Sequence, residues 1–161
     1  MFPGSFDPLT TAHLAIAEAA VIALELDELH LVMSVEALAK QPGGHSSLDD
    51  RLATLERAAR ARPWLRAGVT EARLIADIAA GFHACVVGAD KWHQLHDVAF
   101  YDGSPAARDE ALARLPRLAV APRAGVALPG DQASVVVLSL DPTFHEVSSS
   151  AVRAGREDWR A

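Results

Sequence analysis

Three stretches of this chain combine residue types and spacings that could do chemistry. The first, Gly4-Ser5-Phe6-Asp7-Pro8-Leu9-Thr10-Thr11-Ala12-His13-Leu14, is a glycine turn running into a helix whose first turn carries Thr10 and His13. A turn feeding a helix start exposes unpaired backbone N–H groups and the positive end of the helix dipole, which suits phosphate. The second stretch, Val147-Ser148-Ser149-Ser150-Ala151-Val152-Arg153, repeats the device: three hydroxyls open a short helix and an arginine follows one turn later. Two such devices in one chain point to a single polyphosphate. The third, Val87-Gly88-Ala89-Asp90-Lys91-Trp92-His93, sets a glycine and an acid directly after an apolar run.

Each of these residues has a plainer reading. His13 on an apolar helix could serve only as a hydrogen-bonded structural residue, and Ser148, Ser149 and Ser150 could be no more than a helix cap. Lys40 could equally be a solvated loop cation; for the serines, Arg153 at helical distance favours phosphate. Trp92 could stack on a heteroaromatic ring, but tryptophan at a strand–helix junction is more often packing. His93 and His96, beside Asp90 and Asp97, superficially suggest a metal site; a charged helix face explains the cluster equally well. Trp64 and Trp159 have no motif around them and default to packing.

The elements that must position these groups are legible in outline. Leu14 to Leu24 is alanine- and leucine-rich and too long for a strand, so it is read as a helix buried on most sides. Leu29–Ser34 is expected to be a buried strand, Lys40–Ser47 a loop ending in N-cap candidates, and Leu48, Leu52, Leu55 and Ala59 one face of the next helix. An extended piece from Leu65 to Thr70 precedes a helix over roughly 72–80 stopped by Gly81, then a strand over Ala84–Gly88. A further helix over about 106–115 is followed by the apolar runs Leu118–Ala121 and Val135–Leu138, with Arg123–Asp131 between them reading as a surface loop. This alternation predicts an α/β, Rossmann-like three-layer fold, with a mostly parallel sheet and helices on both faces. Ligands then bind at the carboxyl edge of the strands, near the point where strand order reverses.

Composition narrows the function classes. A chain of 161 residues, half of them apolar, is expected to form one domain over 1–161 with a substantial core. The net charge is −6 and the fifteen basic residues are scattered, which argues against a nucleic-acid partner. Cys85 is the only cysteine and sits in an apolar run, so no intrachain disulfide is expected and a reducing cytoplasm fits. No run of eighteen apolar residues occurs and the N-terminus lacks a basic segment ahead of a hydrophobic one, so neither export nor a membrane partner is indicated. Homo-oligomer formation is left open.

Taken together, Gly4-Ser5-Phe6-Asp7-Pro8, Thr10-x-x-His13 and Ser148-Ser149-Ser150-x-x-Arg153 resemble the signatures of the nucleotidyltransferase (cytidylyltransferase-like) superfamily. It includes nicotinate or nicotinamide mononucleotide adenylyltransferases, phosphopantetheine adenylyltransferases and cytidylyltransferases. The resemblance spans essentially the whole chain. It implies transfer of AMP from ATP to a phosphorylated acceptor with loss of pyrophosphate, and Mg²⁺ accompanying the triphosphate with few or no protein ligands. It implies catalytic roles for His13, Lys40 and Arg153. Nucleotide contacts would come from Gly4, Ser5, Phe6, Thr10, Asp90, Ser148, Ser149 and Ser150, with Thr10 donating to phosphate. Gly88-x-Asp90 resembles the element that contacts the nucleotide ribose in mononucleotide adenylyltransferases, which favours a pyridine mononucleotide as acceptor, with Trp92 a candidate contact. Thr10 in place of a first histidine resembles the phosphopantetheine branch, and CTP remains an alternative to ATP.

Four positions depart from the pattern. Ala12 stands where relatives place glycine, putting a methyl group where backbone approaches nucleotide. Val98 stands where an aromatic residue would stack on the pyridine. Only Met1-Phe2-Pro3 precede Gly4, so either the first strand is very short or the true start lies upstream. The chain also stops soon after Trp159, leaving little room for a terminal helix. These departures suit a rival reading, a nucleotide-binding module that no longer catalyses transfer.

Overall fold

The computed structural model describes residues 1–35, 46–130 and 135–161. Six parallel strands, β1 (Phe2–Pro3), β2 (Leu29–Ser34), β3 (Leu65–Thr70), β4 (Ala84–Gly88), β5 (Arg117–Ala121) and β6 (Val135–Val137), form two ladders, β1-β2-β3 and β4-β5-β6. The register pairs Phe2 with Leu31, Leu29 with Leu65, Ala84 with Arg117 and Leu118 with Val135. Met1 joins the ladders: its amino group donates to the Ala84 carbonyl (2.7 Å) and its carbonyl accepts from Val86 N–H (2.8 Å). The spatial order is therefore β3-β2-β1-β4-β5-β6, and the direction of winding reverses between β1 and β4. That junction is where a doubly wound sheet opens a crevice above its strand ends.

Alternate strand residues enter opposite faces, as the two-residue strand period requires. Phe2, Leu29, Leu31, Met33, Val86 and Ala119 pack with Ala17, Ala20 and Leu24 of α1 (Thr11–Leu24) and Leu55 of α2 (Leu48–Arg60). Val32, Cys85, Val87 and Val120 face the other way, onto Ile78 of α3 (Ile75–Ile78), Leu95 of α4 (Ala89–His96) and Leu112 of α5 (Pro105–Ala113). Helices therefore cover both faces, and the three-layer Rossmann-like reading holds. Among the described residues no helix is long and apolar enough to cross a membrane.

Local chemistry moved several boundaries. Helix α1 begins at Thr11 rather than Leu14, because Thr10 is its N-cap. Helix α3 is one short turn instead of the expected 72–80: Thr70 Oγ1 accepts the Ala72 N–H and Ser34 donates to the Ala72 carbonyl, pinning this segment as a turn. Helix α5 starts at Pro105, with Ser104 capping it and proline at a first-turn position that needs no N–H donor. Strand β1 spans two residues, Phe2–Pro3, and Met1 prolongs its pairing. The last helix, α6 (Ser149–Arg153), follows a single 3₁₀ turn over Pro142–Phe144.

Candidate active site

The opening loop leaves β1 still bonded to β2, through Gly4 N–H to the Val32 carbonyl (3.0 Å). Phe6 then takes a left-handed backbone conformation (φ 45°) and folds its ring back over Gly4. A Cβ on Gly4 would lie 2.8 Å from Phe6 Cζ, so glycine here is a steric requirement. The Phe6 ring is 1% exposed and meets Phe2 edge-on at 5.6 Å and His13 at 5.1 Å between centroids. The side chain of Phe6, a residue expected among the nucleotide contacts, is buried as a brace for His13.

Thr10 and His13 form a reciprocal capping box. The Thr10 N–H donates to His13 Nδ1 (3.0 Å), and Thr10 Oγ1 lies 2.8 Å from the same nitrogen. In return the His13 N–H donates to Thr10 Oγ1 at 3.4 Å. An Nδ1 that accepts a backbone N–H carries no proton, so the bonding assigns the ring hydrogen to Nε2. That nitrogen has no protein partner among the described residues. Burial, helped by the Arg123 charge and opposed by Asp90, lowers the His13 pKa from its ordinary 6.5 to about 4. The imidazole is therefore neutral at pH 7.

This arrangement bears on two expectations. The Thr10 side chain, expected to donate to phosphate, is fully enclosed (0% exposed) and spent on His13 and on the helix cap. Ala12 is buried as well, at 4% exposure, so its methyl group is packed by protein and does not stand in an open phosphate site.

On the other side of the winding reversal, Asp90 sits on the first turn of α4. A Cβ on Gly88 would lie 2.7 Å from Asp90 Oδ1, so the glycine lets the acid fold back toward the strand end. Arg123, two residues past β5, approaches Asp90 with Nη1 3.9 Å from Oδ1. Both groups lie near enough to His13 to act on it electrostatically. Arg123 opens the stretch expected to be a surface loop; the local signal for a site role is that it lies two residues beyond a strand's carboxyl end.

The closing serine cluster docks on the opening loop. Ser149 Oγ donates to the Pro8 carbonyl (2.8 Å), and Arg153 donates through Nη1 to the Asp7 carbonyl and through Nη2 to Ser150 Oγ (3.1 Å). Ser148 Oγ caps α6 by accepting the Ala151 N–H (3.2 Å). The loop is gripped from its other flank by Arg51 of α2, which donates to the Ser5 carbonyl (2.9 Å). Arg51 carries no local motif and was not singled out in the sequence. Lys40 lies outside the described residues.

The remaining candidates are accounted for by packing. The Trp92 ring is half-buried against the core face of α4 and meets His96 at 4.3 Å. His93 faces the Ala127 carbonyl and His96 faces the Trp92 carbonyl, while Asp97 caps a 3₁₀ turn. Among the described residues no group of three His, Cys, Asp or Glu is placed to hold a metal ion.

Comparison with known proteins agrees with this fold. The family model described as cytidylyltransferase-like matches residues 1–155. Among solved structures, a Plasmodium falciparum nicotinic acid mononucleotide adenylyltransferase complexed with NaAD shares the fold with a TM-score of 0.66. It is 12% identical, over 95% of this chain and 80% of that one. A search of curated proteins returns no match.

Proposed function

The chain belongs to the cytidylyltransferase-like family, and on that premise we propose that it joins the AMP moiety of ATP to a phosphorylated acceptor, a pyridine mononucleotide, with release of pyrophosphate. The observation that carries this reading is the docking of α6 on the opening loop, which brings the two phosphate-suited motifs together beside the crevice. The acceptor phosphate arrives ionised and attacks the α-phosphorus in line; one P–O bond forms and the bond to pyrophosphate breaks. No strong base is needed, so positioning and charge neutralisation supply the catalysis.

His13 donates Nε2–H to an α-phosphate oxygen, a role that suits a neutral imidazole whose other nitrogen is already held. Arg153, with Ser148 and Ser150 at the α6 start, takes the departing phosphates while Ser149 holds the loop, Arg123 adds positive charge, and Asp90 accepts from a ribose hydroxyl. Lys40 binds the acceptor phosphate or the triphosphate. Mg²⁺ would accompany the triphosphate and supply positive charge to its phosphates; among the described residues no group of three His, Cys, Asp or Glu is placed to hold an ion, and Asp90, beside Arg123, is the carboxylate that would help hold one. The fold neighbour's acceptor and the Gly88-x-Asp90 element favour the pyridine mononucleotide over phosphopantetheine. The burial of Ala12 removes one argument for a module that binds without turnover.

The test is pyrophosphate release from ATP or CTP with nicotinate mononucleotide, nicotinamide mononucleotide and phosphopantetheine. Loss of one transition-state donor costs about 3–4 kcal/mol, so His13→Ala should lower turnover by roughly two to three decades. Binding of ATP without turnover on any acceptor would support the module instead.

A further inference from the structure

We propose that Thr10 is a positioning residue that locks His13 in the single tautomer with its proton on Nε2, and that it does so without touching nucleotide itself. The catalytic consequence rests on the transferase reading above; the tautomer lock stands without it. Two donors converge on Nδ1, the Thr10 backbone N–H at 3.0 Å and the Thr10 hydroxyl at 2.8 Å, and both come from one residue that is fully buried. Protonating Nδ1 would set it against the backbone N–H, a donor–donor clash that the hydroxyl, free to turn and accept, would not relieve. The hydroxyl has one hydrogen, and with that hydrogen aimed at the imidazole it has none to offer a phosphate.

The rest of the surroundings hold the ring without competing for its protons. Phe2 of β1, at 6.1 Å, and Phe6 of the loop, at 5.1 Å, contribute uncharged faces and edges. The charged groups acting on the ring are Arg123 beyond β5 and Asp90 on α4, which oppose each other. Burial adds to the Arg123 effect, so the imidazole stays neutral through the range where an ordinary histidine titrates. The crevice is thereby given a donor whose strength does not vary around neutral pH.

The lock is tested by ¹⁵N NMR of the histidine-labelled protein, with His13 identified among the seven histidines by the resonance missing in His13→Asn. Between pH 5.5 and 8, as a working range around the ordinary histidine pKa of about 6.5, Nδ1 should hold the shift of an unprotonated nitrogen and Nε2 that of a protonated one. A proton on Nδ1, or titration of the ring inside that range, overturns the proposal. Thr10→Val and Thr10→Ser then separate positioning from ligation. Loss of an orienting partner typically lowers activity about 10–100-fold, so Thr10→Val should lower kcat by that much with KM for the triphosphate nearly unchanged, and Thr10→Ser should restore it. A raised KM with unchanged kcat would make Thr10 a phosphate ligand and refute the assignment, as would unchanged NMR and kinetics in Thr10→Val. If Thr10→Val does not fold, the shifts of the wild type and of Thr10→Ser still decide. If the wild type turns over no acceptor, the transferase reading fails while the NMR result stands on its own.

Discussion

Gly4→Ala puts the construction of the site under direct strain. The new methyl carbon would lie 2.8, 2.9 and 3.1 Å from three carbons of the Phe6 ring, where ordinary van der Waals contact begins at 3.4 Å. The ring must therefore retreat by several tenths of an ångström, yet it is 1% exposed and wedged between Phe2 and His13. Overpacking of this kind costs about 1–3 kcal/mol. The displacement is passed to the His13 imidazole, so turnover should fall along with stability. Urea denaturation of Gly4→Ala, Phe6→Leu and the double variant measures the coupling: a smaller side chain at position 6 should relieve much of the alanine's penalty. Independent sites add within about 0.3–0.5 kcal/mol; additive losses, or a Gly4→Ala protein as stable and active as the parent, would refute the steric argument.

Other expectations follow from the same geometry. His13 has its folded pKa lowered from 6.5 to about 4, so the unfolded chain binds more protons between those values. The protein should therefore hold this stability above pH 6.5 and lose up to about 3 kcal/mol as pH falls toward 4; His13→Asn should show a flatter denaturation profile over that window. Ser149→Ala removes the hydrogen bond to the Pro8 carbonyl and should cost about 1 kcal/mol in thermal or urea unfolding, while raising the apparent KM for the triphosphate. Arg123→Ala removes a charge that lowers the His13 pKa, so the imidazole should titrate at higher pH by NMR; an unchanged titration would detach Arg123 from the crevice.

Much of this architecture could be read from residue patterns, because strand and helix periods are local. The apolar runs at Leu29–Ser34, Ala84–Gly88 and Leu118–Ala121 became strands, and the chemistry-bearing residues fell at their carboxyl ends, as a parallel sheet dictates. What stayed hidden depends on contacts far apart in the chain. Nothing local to Arg51 shows that it bonds Ser5, and nothing local to Arg123 shows that β5 ends beside α4. The expected helix over 72–80 failed for a similar reason, since Ser34 claims the Ala72 carbonyl across 38 residues. At closer range the spacing of Thr10 to His13 carries two meanings, since i to i+3 at a helix start suits phosphate chemistry and is also the spacing of the capping box observed here.

The docking of α6 on the opening loop also has a temporal meaning. Its hydrogen bonds from Ser149 to Pro8 and from Arg153 to Asp7 span 141 and 146 residues. During synthesis the loop is made well before the serines and arginine that clasp it. A nascent chain can lay down its whole parallel sheet before this clasp exists, so the loop takes its final support only after the strands are in place.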